Sequence, residues 1–220
     1  TISVISFDYS CKKPTEKEIQ FWAKYGIDER TLQRYNVKFL HHVNFHREDK
    51  SEYSVFASNA FLLFGYVFGN GKGIKIYRPT AKTRFMYAGE LPKPYIFGME
   101  QLPPKGEMVI ITGGEKDVLS LAAHGFNAIS FNSETANISE EVMRELAGRF
   151  KNILFLYDMD ETGKKESAMK VKQFKDKYNV GRIELPLEGT KKEKDISDYF
   201  EKGKTKEELN RIIKLMVWKR

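Results

Sequence analysis

Along the chain, apolar and polar positions change rhythm near the middle. Residues 1–13 begin with an apolar–polar alternation of strand type. Thr15-Glu16-Lys17-Glu18 has the form of a capping box, and Ile19, Trp22 and Ala23 follow at helical spacing until Gly26. Asp28 is placed to cap a second helix that buries Leu32 and Tyr35, so the pair reads as a packed helical hairpin. Residues 53–97 read as β-rich: strands 64–68 and 74–78 flank Asn70-Gly71, a hairpin turn signal, and a third strand is expected around 83–88. Residues 91–106 carry four prolines and read as a connection between domains.

From Met108 onward the pattern becomes βαβ alternation. Val109-Ile110-Ile111 predicts a buried strand, residues 115–124 a helix ended by Gly125, and Ala128–Phe131 a further strand. Ser139 is placed to cap a helix running to Phe150. Asn152–Tyr157 is an apolar run of the kind buried on both faces of a parallel sheet. A lysine-rich helix from about 164 to 178, a strand near 182–185 and a short helix opened by residues 194–200 complete the alternation. Thr205-Lys206-Glu207-Glu208 is a second capping box. It begins a C-terminal helix with Leu209, Ile212, Ile213 and Met216 on one face. The expected organisation is therefore α/β: a mostly parallel, helix-flanked sheet over 106–202, preceded by a smaller α+β subdomain over 1–105 and followed by a C-terminal helix over 203–220.

Composition narrows the setting. At 220 residues and 41% hydrophobic, the chain can bury a sizeable core. No stretch approaches the ~20 apolar residues of a membrane span, so no membrane association is expected. Cys11 is the only cysteine, which excludes disulfide scaffolding and a cysteine-based zinc site within the chain and fits a reducing, cytoplasmic setting. No signal peptide is recognisable, and Thr1 without a preceding Met is expected of a processed chain or a fragment. The net charge of +7 is compatible with a polyanionic partner. His41, His42 and His46 are expected on a surface loop rather than at a metal.

Chemistry concentrates at the predicted strand ends of the second half: Thr112-Gly113-Gly114-Glu115-Lys116-Asp117, Asp158-Met159-Asp160, and Lys194-Asp195-Ile196-Ser197-Asp198. In a parallel sheet these lie on one edge, where open α/β sheets bind ligands. Asp158 and Asp160, two residues apart, repel each other unless a cation sits between them. Oxygen ligands without histidine or cysteine suit Mg²⁺ or Mn²⁺. Lysines near helix starts oppose the helix dipole, which makes Lys116 and Lys164 candidates to face phosphate. Asp117 is a candidate to hold the loop or join an outer metal shell, and Ser197 and Asp198 are candidate caps. A phosphatase of the haloacid-dehalogenase type fits Asp158–Thr162 by letters, but 60 residues after Asp160 are too few for its catalytic domain.

The pattern resembles the Toprim domain shared by bacterial DNA primases, topoisomerases and some nucleases, over about residues 107–202. Within that group the likeness is nearest to primases of bacteriophages and mobile elements. Gly114-Glu115-Lys116-Asp117 looks like the family's Glu-Gly-x-x-Asp motif, Asp158-Met159-Asp160-Glu161-Thr162-Gly163-Lys164 like Asp-x-Asp-x-x-Gly-Arg/Lys, and Lys194-Asp195 like the downstream acidic motif. Ile76-Tyr77-Arg78-Pro79 and Arg84-Phe85-Met86-Tyr87 resemble the basic β-region of the primase polymerase core, which implies template or nucleotide contact by Arg78 and Arg84. Tyr77 and Tyr87 are candidates for base stacking.

The resemblance implies Mg-dependent nucleotidyl transfer for primer synthesis. Asp158, Asp160 and Asp195 would hold Mg²⁺ or Mn²⁺, single-stranded DNA and nucleoside triphosphates would be the substrates, and a replicative helicase would be a partner. One departure matters. The family's catalytic glutamate precedes the first glycine of its motif, and Gly113 occupies that place. Two readings of Glu115 stay open: a catalytic carboxylate supplied from a shifted position, or a charge that complements the helix dipole. With the Gly113 site degenerate, the alternative is a module that binds nucleic acid or a replication partner; a Toprim nuclease is the other alternative.

Overall fold

The computed structural model describes residues 3–217. They form two compact units. One gathers the residues up to Phe21 with Glu29–Tyr95; the other gathers Trp22–Asp28 with the residues from Ile96 onward.

The first unit is an antiparallel sheet with short helices. Its strands are β1 (Val4–Cys11), β2 (Val37–Arg47), β3 (Glu52–Phe56), β4 (Phe64–Phe68), β5 (Gly73–Tyr77) and β6 (Phe85–Gly89). They run in the order β1-β2-β4-β5-β6, with β3 also paired to β2. The helix α1 (Glu16–Ala23) begins at the predicted capping box: Thr15 N–H donates to the Glu18 carboxylate at 2.7 Å, and Glu18 N–H donates to Thr15 Oγ1 at 3.3 Å. A second short helix, α2 (Glu29–Arg34), buries Leu32. Leu40, Val43, Phe45, Leu63, Ile74 and Ile76 make the apolar core of this unit.

His41, His42 and His46 lie on β2, not on a surface loop. The apolar residue Leu40 just before them, and Val43 and Phe45 between them, are buried and draw the segment into the sheet. Strict alternation is absent because the β1–β2 register shifts between Ser10 and Cys11, leaving His41 as an extra residue opposite β1. The Asn70-Gly71 signal marks a true reversal: Asn70 adopts φ 57 between β4 and β5.

The second unit is a five-stranded sheet: β7 (Ile96–Phe97), β8 (Gly106–Thr112), β9 (Ala128–Phe131), β10 (Phe150–Leu156) and β11 (Val180–Arg182). The order is β11-β10-β8-β9-β7. All neighbours are parallel except the edge pair β7–β9. Helices α3 (Glu115–Ala123), α4 (Glu140–Arg149), α5 (Glu161–Phe174), α6 (Ile196–Glu201) and α7 (Lys206–Val217) accompany it. Val109, Ile111, Ile129, Ile153 and Phe155 meet Val142, Met143, Leu146 and Phe174 in one core. Their residual exposures of 0–8% explain the near-continuous apolar runs of these strands. Ser139 caps α4 as expected, accepting from Val142 N–H at 3.2 Å. Thr205 and Glu208 close the second capping box.

Three boundaries differ from expectation. The supposed connection at 91–106 contains β7, whose two residues cover the free edge of β9. The lysine-rich helix spans Glu161–Phe174 rather than 164–178, because the Asp160 side chain caps it earlier. The last strand is Val180–Arg182 rather than 182–185, fixed by its register against Ile153–Phe155. Among the described residues no helix is long and apolar enough to cross a membrane.

Candidate metal centre

Because β8, β9 and β10 are parallel, their carboxyl ends open on one edge of the sheet. Thr112 Oγ1 donates to the Leu156 carbonyl at 2.8 Å and ties the ends of β8 and β10 together. Just past Leu156 the chain runs through Asp158-Met159-Asp160. Met159 N–H donates to the Lys194 carbonyl at 2.6 Å, which brings the Lys194-Asp195 segment alongside. Asp160 is the N-cap of α5, its Oδ1 accepting from Gly163 N–H at 2.9 Å. A Cβ on Gly163 would stand 2.1 Å from the Asp158 carbonyl oxygen, so only glycine lets α5 start this close to the acidic segment.

Two sets of carboxylates result, and Asp158 belongs to both. In one, Asp117, Asp158 and Asp195 each offer an oxygen, all within 4.8 Å of one another; in the other, Glu134, Asp158 and Asp160 do the same. Two ammonium groups lie among them. Lys194 Nζ is 2.6 Å from Asp158 Oδ2 and 3.0 Å from Asp160 Oδ2. Lys116 Nζ is 3.5 Å from Asp195 Oδ2 and 4.3 Å from the centre of the Tyr25 ring.

Proton affinities record the crowding of negative charge. Burial, and then Asp195, push Asp117 well above the usual carboxylate range. Burial likewise raises Asp195, against the pull of Lys116. Burial, and next Asp158, push Glu134 up to about 7. Asp160 is the exception: burial opposes it, yet the Gly163 N–H and Lys194 hold its carboxyl below the usual range. Lys194 is likewise disfavoured by burial, but Asp158 and Asp160 keep its ammonium well above the ordinary lysine value. Five carboxylates against two lysines, with oxygen donors only, fit a hard divalent cation.

The residues singled out from the sequence fall into three groups. Asp158 groups with Asp195 in one carboxylate set and with Asp160 in the other, and among the described residues no set holds all three. Asp195, not Ser197 or Asp198, is the N-cap of α6: it accepts from Asp198 N–H at 2.7 Å and Asp198 reciprocates in a capping box. Ser197 Oγ donates instead to Asp117 Oδ1 at 2.6 Å, so Asp117 links α3 to α6. Glu115 is the buried first residue of α3 and belongs to neither carboxylate set. Lys116 is engaged by Asp195 and Tyr25, while Lys164 is exposed on α5.

In the first unit, Arg78 and Arg84 lie just beyond the Tyr77–Phe85 pair that ends β5 and β6; Arg78 N–H donates to the Arg84 carbonyl at 2.7 Å, and the Arg78 guanidinium lies 3.5 Å from Met86 Sδ. Tyr77 is buried and stacked on Phe85 at 5.1 Å, which removes it as a base-stacking platform; Tyr87 is 46% exposed.

Sequence reasoning passed over Glu134 and gave Lys194 no role of its own. The one available signal for Glu134 was its position three residues after a parallel strand.

Residues 110–200 match a protein family described as Toprim-like. The second unit thus carries a Toprim-like domain, and the chain has the fold of primase catalytic cores. The primase fragment of the bacteriophage T7 primase-helicase protein is 18% identical, with a TM-score of 0.57 over 96% of this chain and 75% of that one. The zinc-binding and RNA polymerase domains of Aquifex aeolicus primase are 16% identical, with a TM-score of 0.64 over 92% of this chain and 56% of that one. The DnaG primase catalytic domain, solved bound to ssDNA, is 15% identical, with a TM-score of 0.63 over 90% and 70%. This chain therefore spans little more than half the length of the Aquifex structure. No curated protein matches it in sequence.

Proposed function

We propose that this chain is a primase core of the kind carried by bacteriophages and mobile elements, extending primers by nucleotidyl transfer on single-stranded DNA in the cytoplasm. The observation that supports this reading is that, at the carboxyl edge of a Toprim-like sheet, Asp158 gathers with Asp117 and Asp195 in one carboxylate set and with Glu134 and Asp160 in another. Asp158, Asp160 and Asp195 would hold Mg²⁺ or Mn²⁺, which when bound offsets the charge of a triphosphate and of the transferring phosphoryl group.

The chain's own residues supply the rest. Asp158 accepts the Lys194 ammonium until a divalent cation competes for it. Lys164, exposed one turn into α5, is free to meet phosphate oxygens, and Lys116 can reach them by leaving Asp195. Arg78 and Arg84 would contact template phosphates. A replicative helicase is the expected partner, since the similar T7 chain comes from a primase-helicase protein.

The test is primer synthesis on single-stranded DNA with nucleoside triphosphates and Mg²⁺ or Mn²⁺, using the native chain and Asp158→Asn/Asp160→Asn. Extension products from the native chain alone support the proposal. Gly113 favours a second reading, a module that binds nucleic acid or a replication partner without catalysis. DNA binding with no product under any metal would select it, and cleavage of the DNA in place of extension would select a Toprim nuclease.

A further inference from the structure

Past the end of β9 the chain turns through Asn132-Ser133-Glu134-Thr135. The turn is firmly held. Ser133 Oγ and Thr135 Oγ1 are hydrogen-bonded at 2.9 Å, Ala136 N–H donates to the Ser133 carbonyl at 3.1 Å, and the buried Lys170 of α5 donates to the Ala136 carbonyl at 2.6 Å. This anchorage presents the half-buried Glu134 to the end of β10, where its Oε1 accepts from Asp158 N–H at 2.7 Å.

The same carboxylate fills the space in front of Gly113. A Cβ on Gly113 would lie 2.8 Å from Glu134 Oε1 and 3.5 Å from Asp158 Oδ1. A side chain at 113 and the carboxylate of Glu134 therefore compete for one place beside Asp158. That place takes positive charge: the Lys194 ammonium is already lodged between Asp158 and Asp160, and Glu134 offers an oxygen within 4.8 Å of theirs.

We infer that Glu134 is a third carboxylate ligand of the Asp158/Asp160 cation site, standing where a side chain at Gly113 would otherwise stand. The inference rests on the cation site proposed above and adds to it a residue from a different strand end. A purely structural Glu134 would need only an acceptor for Asp158 N–H, which a glutamine also provides. A ligand needs the negative charge.

The experiment is Mn²⁺ binding to the full chain, followed by the paramagnetic resonance of free Mn²⁺, with melting curves as the folding check. Glu134→Gln is expected to weaken binding by more than the ~10–100-fold that disturbing a ligand's hydrogen-bond partner costs, and Asp158→Asn to abolish it. In Glu134→Ala, adding Gly113→Glu moves the carboxylate back across the same space and is expected to restore most of the lost affinity; a scaffolding role predicts no such rescue. Native-like binding by Glu134→Gln, with Asp158→Asn inactive in binding, overturns the inference and leaves the cation site standing. No binding by the native chain, or undiminished binding by Asp158→Asn, overturns the site and the inference with it. If Glu134→Gln melts, the Glu134→Ala pair decides: rescue by Gly113→Glu supports ligation, and a folded double variant without rescue overturns it.

Discussion

The two units place their charged groups by opposite geometric means. In the antiparallel unit, a hairpin sets Arg78 against Arg84, residues close in sequence. In the mainly parallel unit, crossovers return β8, β9 and β10 in the same direction, so Gly113, Glu134 and Asp158 meet at one edge although helices separate them in sequence. Antiparallel pairing gathers local residues; parallel pairing gathers strand ends. The first arrangement joins two basic residues through their backbones, and the second gathers carboxylates from several strand ends.

The comparison is sharpest if the two charge clusters can be disabled separately. Asp158→Asn/Asp160→Asn should lower Mn²⁺ affinity by more than the ~10–100-fold that disturbing a ligand's hydrogen-bond partner costs, with single-stranded DNA affinity not lowered. A parallel fall in both would mean that one cluster serves both ligands. Arg78→Ala/Arg84→Ala should do the reverse. Losing two phosphate contacts should flatten the dependence of log affinity on log salt by about 1.4 for single-stranded DNA, with Mn²⁺ binding intact. An unchanged slope removes the arginine pair from the interface.

Smaller effects probe how the acidic edge is held. Ser197→Ala takes from the buried Asp117 its hydroxyl donor and should cost about 1.5–3 kcal/mol in urea unfolding. An unaltered midpoint would show that this bond does not secure α6 to α3. A further effect is expected from pH without metal. Glu134 is raised from 4.5 to about 7, so between these values the folded chain holds a proton that the unfolded chain has lost. Cation-free stability should therefore fall as pH rises from about 4.5 to about 7, and level off above. Asp117 and Asp195 shift in the same direction, so the difference between the native chain and Glu134→Gln isolates Glu134. Identical pH slopes in EDTA would refute a raised Glu134.

Much of the acidic unit was readable before its structure. The runs at Val109–Ile111 and Asn152–Tyr157 are apolar because both faces of a parallel sheet are covered, and that continuity survives in one dimension. The capping boxes at Thr15 and Thr205 are local hydrogen-bond chemistry and appeared where expected. The histidine strand was hidden because a shift of register breaks its alternation. β7 was hidden because two residues carry no period. The start of α5 was misjudged because Asp160 reads both as a candidate metal ligand and as a helix cap, and the structure uses it as the cap while leaving Oδ2 to Lys194.

By itself the sequence determined the α/β alternation, the caps at Thr15, Ser139 and Thr205, the acidic segment at the end of β10 and the vacancy of a side chain at Gly113. These follow from local spacing and residue type. Only the tertiary structure decided that Glu134 reaches Asp158, that Lys194 lies between Asp158 and Asp160, and that Glu115 stands outside both carboxylate sets. Those outcomes depend on which strands lie side by side, β9 beside β8 and β8 beside β10. Strand order is a property of the packed sheet, fixed by burying apolar faces against helices, and no local pattern encodes which strand ends become neighbours.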